Sequence, residues 1–195
     1  MVKPLLIVLN GTSSAGKTTL AAAVAEQCPT PLQVSGVDTF LALQPDSTFA
    51  PPGSDVPSDG FTWCAVEVEG REAWAVRPGR KGEALMRAVH AYWAACAQEG
   101  IHQVVDHVLL SEAMAADLQE RLQPHDPLFV DVRCPLDVVD QRERERGDRL
   151  IGQGRGIGAT VHDFLTYDVH VDTSLMRPEH AAEVVLAAVR RRIHL

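Results

Sequence analysis

Gly11-Thr12-Ser13-Ser14-Ala15-Gly16-Lys17-Thr18 places a glycine at each end of a short loop and closes it with a lysine and a hydroxyl side chain. The loop follows the apolar run Leu5–Leu9 and opens a helical stretch, Lys17–Gln27. Glycines let the backbone curl until its N–H groups converge on an anion, and the helix start behind them adds positive potential. A lysine in this position meets β- and γ-phosphates, and the hydroxyl after it meets Mg²⁺. The pattern and its strand–loop–helix setting predict a nucleoside triphosphate site with ATP and Mg²⁺ as ligands. Gly11 to Thr18, together with Thr19, would surround the phosphates, Lys17 would act on the moving phosphoryl group, and Thr18 would touch the metal.

Other residues fit phosphoryl transfer to a hydroxyl. Asp38 follows the second apolar run, at the strand end where parallel sheets place their ligands, and suits the carboxylate that orients an alcohol and accepts its proton. A helix N-cap is the competing role for it. Asp106 ends Val104-Val105 and occupies a position suited to holding Mg²⁺ through water, or to contacting the acceptor; His107 beside it is a structural residue or a minor candidate. Arg142, Arg146 and Arg149 recur at i, i+4 and i+7, one face of a helix if Gly147 does not end it. Such a face could clamp phosphates, or be a solvated surface on which Glu145 and Arg149 pair. Gly152, Gly154, Gly156 and Gly158 follow and read as a hinge, so residues 142–158 form an arginine lid with its hinge. Asp163, Asp168 and Asp172 are equally consistent with turns.

The elements that must position these groups are legible as alternating runs. Apolar, β-branched segments at Leu5–Leu9, Leu32–Val37, Val104–Leu110, Leu128–Val132 and Tyr167–Val171 are separated by helical stretches at Lys17–Gln27, Gly82–Gln98, Ser111–Gln123, Pro135–Arg146 and Pro178–Ile193. This predicts an α/β fold, a P-loop kinase-like three-layer sandwich with a mostly five-stranded parallel sheet, in one domain spanning 1–195. Residues 42–81 break the alternation with clustered prolines and glycines. Inside them, Cys64 to Val76 alternates about Glu69-Gly70-Arg71 as a β-hairpin does. Phe49, Phe61, Trp63 and Trp74 suit either a wall over the acceptor pocket or a staple holding the insertion to the domain. The Arg190–Arg192 triplet suits a solvated helix end.

Bulk properties narrow the function. A net charge of −8 argues against a nucleic-acid surface, and no apolar run reaches the length of a membrane helix. Cys28, Cys64, Cys96 and Cys134 form no C-x-x-C pair, which argues against a zinc or disulfide framework. Met1-Val2-Lys3 leads directly into the first strand without a signal-peptide pattern, so a cytoplasmic protein is expected.

Leu9 to Thr18, Gly36-Val37-Asp38, Val105 to Leu109, Val132-Arg133-Cys134, Arg142-Glu143 and Arg146 to Arg149 together resemble the chloramphenicol phosphotransferase family. Val161-His162, Tyr167-Asp168 and Val171-Asp172-Thr173 continue the likeness in order. The resemblance implies ATP-dependent phosphorylation of a hydroxyl on a small molecule and a link to antibiotic resistance. On it, Asp38 matches the general base, the Gly11–Thr18 loop the ATP site, and Arg146 and Arg149 the phosphate-facing lid. The chain departs from the family where two adjacent acids become Asp106-His107, which changes the charge expected beside the acceptor, and in the 45–78 region that should shape the pocket. The alternatives are a nucleoside, nucleotide or sugar-nucleotide kinase and a non-catalytic nucleotide sensor.

Overall fold

A computed structural model describes residues 3–147 and 150–193. Along the chain the elements are β1 (Leu6–Asn10), α1 (Lys17–Gln27), β2 (Gln33–Gly36), α2 (Val37–Leu41), β3 (Phe49–Ala50), β4 (Phe61–Val68), β5 (Arg71–Pro78), α3 (Arg80–Gln98), β6 (Gln103–His107), α4 (Glu112–Leu122), β7 (Leu128–Arg133), α5 (Leu136–Arg146), α6 (Gln153–Gly158), β8 (Val169–Asp172) and α7 (Pro178–Ile193), with 3-10 turns at Asp46–Thr48 and Gln123–His125.

Five strands pair in parallel in the order β2-β6-β1-β7-β8. Alternate residues of β1 feed opposite layers. Ile7 and Leu9 pack with Val130 and Val132 against α1 and α7, where Val24 and Val185 are buried. Leu6 and Val8 face α3 and α4, meeting Met86, Trp93 and Leu118. The central strand β1 is covered on both faces, which is why it reads as a continuous apolar run. The result is the expected α/β sandwich, and among the described residues no helix is long and apolar enough to cross a membrane. The cysteines are free thiols.

Several boundaries differ from the sequence reading. The third strand of the sheet stops at His107, not Leu110, because the backbone N–H of Leu109 turns to the Asn10 side chain (3.0 Å). Gly147 does end α5, in the left-handed conformation (φ 68°), so the run of arginines does not continue along one helical face. The residues around glycines 152–158 form α6 instead of an irregular segment. The triple arginine is more than a solvated end: Arg192 donates to the Pro127 carbonyl at 2.7 Å and pairs with Asp168 at 2.5 Å.

The insertion forms a second small sheet, β3-β4-β5. Glu69 (φ 54°) and Gly70 (φ 71°) make the tight turn between β4 and β5, a two-residue connection in the left-handed region that suits the twist of a hairpin.

Candidate active site

The phosphate loop is built by contacts on both of its sides. A Cβ on Gly11 would lie 2.3 Å from the Val132 carbonyl, so this glycine is required by the neighbouring strand. Gly16 (φ 88°) takes the left-handed turn that starts α1. Ser14 also has positive φ (60°), and its Oγ is buried without a partner. Ser13, Ser14, Gly16, Lys17, Thr18 and Thr19 line the principal cavity, which measures about 560 Å³. Gly11, Thr12 and Ala15 support the loop from behind: Thr12 donates to the Gly154 carbonyl at 2.5 Å, and Ala15 is fully buried.

Lys17 is only 6 % exposed, and its Nζ donates to the Thr12 carbonyl at 2.8 Å and lies 3.5 Å from Asp106 Oδ1. Thr18 Oγ1 donates to Asp106 Oδ2 at 2.7 Å. A hydroxyl and a carboxylate oxygen therefore stand together beside the lysine, an oxygen pair suited to a hard cation such as Mg²⁺. The register explains this, since β6 and β2 pair with Asp106 beside Gly36, two residues before Asp38.

Asp38 occupies the first turn of α2 and lines the same cavity. It is not the N-cap: Gly36 holds that place with an extended backbone and no side-chain cap. Arg142 NH1 donates to Thr173 Oγ1 at 3.0 Å and NH2 to the Thr173 carbonyl at 2.9 Å, while Thr173 Oγ1 donates to the Ala15 carbonyl at 2.6 Å. This chain of bonds ties α5 and the turn after β8 to the phosphate loop. Arg146 lies one turn further along α5 and also lines the cavity. Arg149, and with it the alternative of a Glu145–Arg149 pair, lies outside the described residues; Glu145 accepts from Gln141 at 2.8 Å.

His107 is a correction to the expected charge beside the acceptor. Successive residues of β6 point to opposite faces, so where Asp106 faces the phosphate loop, His107 is fully buried against Trp93 and His90. His107 Nε2 and His90 Nε2 lie 2.7 Å apart, and His90 Nδ1 reaches Asp117 at 2.7 Å. Burial, reinforced by the repulsion a protonated His90 would exert, holds His107 well below the ordinary histidine range. Burial also lowers His90, with the Asp117 hydrogen bond opposing.

Phe49, Phe61, Trp63, Val76, Met86 and Leu110 add apolar side chains to the cavity lining. Phe49 stacks on Phe61 with centroids 5.8 Å apart and tilts against Trp63 at 6.0 Å. Trp74, expected with them, does not line the cavity. The aromatic insertion therefore staples itself together and faces the cavity with the same rings.

Some positioning residues were missed. Asn10 precedes the phosphate loop and is fully buried; its Nδ2 donates to the Val161 carbonyl at 2.8 Å and to Tyr167 Oη at 2.6 Å. Burial pushes the Tyr167 phenol up to about 12, with the Asn10 bond opposing. Gln153, whose Oε1 accepts from Trp63 Nε1 at 3.4 Å, carries no signal of this contact in the sequence. A polar residue at the end of an apolar strand was the available signal for Asn10. Asp172 accepts from the Ser174 N–H at 2.8 Å, as turn residues do, whereas Asp168 accepts from the Phe129 N–H of the neighbouring strand at 2.8 Å.

Solved structures share this fold. A sugar kinase from Janibacter sp. HTCC2649, solved without ligand, superposes with a TM-score of 0.65 at 20% identity, covering 96% of this chain and 95% of that one. The Mycobacterium tuberculosis APS kinase, solved with AMPPNP and APS, gives 0.64 at 13% identity over 97% and 99% of the two chains. The Deinococcus radiodurans tunicamycin resistance protein gives 0.60 at 18% identity over 95% of each. These likenesses define the fold as that of the P-loop kinases. A curated Mycobacterium tuberculosis H37Rv protein, named provisionally as an O-phosphotransferase, is 32% identical over 171 residues, 87% of this chain and 75% of the relative. Residues 5–190 match the family described as chloramphenicol phosphotransferase-like protein, and the chain belongs to that family.

Proposed function

We propose that the protein transfers the γ-phosphoryl group of ATP to a hydroxyl of a small, uncharged molecule that presents an apolar face. The observation that carries this reading is one cavity lined by Lys17, Thr18 and Asp106, by Asp38 at the strand ends, and by the Phe49–Phe61–Trp63 cluster.

Lys17 and the loop N–H groups engage the phosphates, and Arg142 holds the loop in shape from α5. Arg146 faces the same space and stabilises charge as it moves onto the transferred oxygens. Asp38 orients the acceptor hydroxyl and takes its proton as the new bond to phosphorus forms. Thr18 and Asp106 would hold Mg²⁺, whose charge would neutralise the phosphate oxygens.

The acceptor side favours a neutral molecule over a nucleotide or another anion. Among the described lining residues, the cations are Lys17, Arg142 and Arg146, and the lining also carries the acids Asp38, Asp106 and Glu145 among its apolar side chains. A second phosphate or carboxylate on the acceptor would meet these acids, with Lys17 and Arg146 already given to the nucleotide phosphates on this reading. Whether the acceptor is chloramphenicol, another hydroxylated antibiotic or a metabolite is decided by assay.

That assay is acceptor-dependent ADP release from Mg-ATP across neutral antibiotics, nucleosides, sugars and nucleotides, with product mass and an Asp38→Asn control. Turnover of a neutral acceptor, abolished by Asp38→Asn with nucleotide affinity kept, is the expected result. Transfer confined to nucleotides, or an Asp38→Asn enzyme as active as the native one, would sink the reading.

A further inference from the structure

The short helix α6 touches three parts of the molecule at once. Towards the phosphate loop, its Gly154 carbonyl accepts from Thr12, and a Cβ on Gly154 would come within 2.8 Å of the Ser13 carbonyl. Towards α5, Glu143 accepts from the backbone N–H groups of Gly152 at 2.9 Å and Gly154 at 2.6 Å. Towards the insertion, the Trp74 N–H donates to the Gly152 carbonyl at 3.1 Å, and a Cβ on Gly156 would lie 2.3 Å from the Trp74 carbonyl. Gln153 meets Trp63 from the same helix.

Arg155 fastens the junction. It is 1 % exposed, although no step of the transfer needs it. Its Nε and NH2 donate to Asp140 at 3.1 and 2.9 Å, NH2 also to Asp137 at 2.7 Å, and NH1 to Glu69 in the hairpin turn at 2.8 Å. Arg71, also on the hairpin, reaches Asp137 at 2.7 Å. One guanidinium thus joins the acceptor-side hairpin to the helix that carries Arg142 and Arg146.

We infer that Arg155 is a positioning residue that couples the two substrate sites: filling the phosphate loop fixes α6, and through Arg155 and Glu69 fixes the hairpin that forms the acceptor wall. The inference rests on the nucleotide reading of the phosphate loop. Coupling of this kind requires an element both sites bias, here the docked state of the hairpin on α6. Glu69 contributes at the open end of the network, where its side chain is 70% exposed, so it can be neutralised without stranding a buried charge.

The test is hydrogen exchange of the full chain with and without Mg-AMPPNP, comparing native protein with Glu69→Gln and Arg155→Lys. In the native protein, nucleotide should slow exchange both in the phosphate loop and in residues 61–78, the latter by about fivefold or more. In Glu69→Gln the loop should keep its protection while the hairpin loses most of its gain, and Arg155→Lys, which keeps the charge but not the fork, should do the same. A purely structural role would change the hairpin equally with and without nucleotide, and that result overturns the coupling. So would a hairpin that ignores nucleotide while the loop responds. Absence of protection in both regions, with no nucleotide bound, would remove the nucleotide reading and the coupling with it.

Discussion

At the scale of single residues, the proposed function separates groups that would engage phosphate from groups that hold the loop. Lys17 is buried and makes its contacts from the loop end, so Lys17→Met should weaken Mg-ATP binding by about 10–100-fold, measurable by calorimetry, because a charge-assisted bond contributes about 1.5–3 kcal/mol. Trp63→Ala should raise the acceptor KM and leave the ATP KM near its native value, since Trp63 lies on the insertion wall. The buried His90–His107 pair makes a different kind of prediction. Both are held neutral in the fold, by burial first, whereas an unfolded histidine takes up a proton near pH 6.5. Unfolding below that pH therefore binds protons, so the stabilising effect of neutral burial is complete above about pH 6.5 and declines as the pH falls from there towards the lowered folded values. The urea midpoint should drop between pH 7.5 and 5.5, and a midpoint that rises over that interval would contradict the assignment.

At the scale of elements, α6 shows how glycine can mean two opposite things. Four glycines in seven residues suggested a freely moving hinge, yet Gly154, Gly156 and Gly158 sit where any Cβ would strike Val139, Trp74 or Leu136 within 3 Å. They permit close approach. Gly156→Ala should cost about 1–3 kcal/mol by overpacking, read as a lower denaturation midpoint. The loop and the apolar runs were legible because each depends on local pattern: Lys17 and Thr18 follow a strand and start a helix, and Val8 or Val130 are flanked by apolar neighbours. The alternation from Cys64 to Val76 likewise marked the hairpin, although its strands run further, to Phe61 and Pro78. What was hidden depended on tertiary register. His107 carries no signal of the face it takes, and Arg155 reads as one more charge in a polar stretch until Asp140 and Glu69 converge on it.

At the scale of the whole molecule, the proposed nucleotide site predicts a link between ligand and fold stability. A ligand that binds only the folded chain stabilises it by about 2.7 kcal/mol at a hundredfold excess over Kd, so Mg-ATP should raise the melting temperature, and Lys17→Met should shrink that rise. The insertion enters the chain after α2 and returns at α3, and forms its own sheet beside the five parallel strands. Its closest seam with α6 runs backbone to backbone, from Gly152 and Gly156 onto the main chain of Ala73, Trp74 and Ala75. A seam that recognises main-chain atoms is blind to most side-chain changes in β5. Exchanging the cavity-lining side chain that β5 contributes, Val76, would therefore leave this main-chain docking in place.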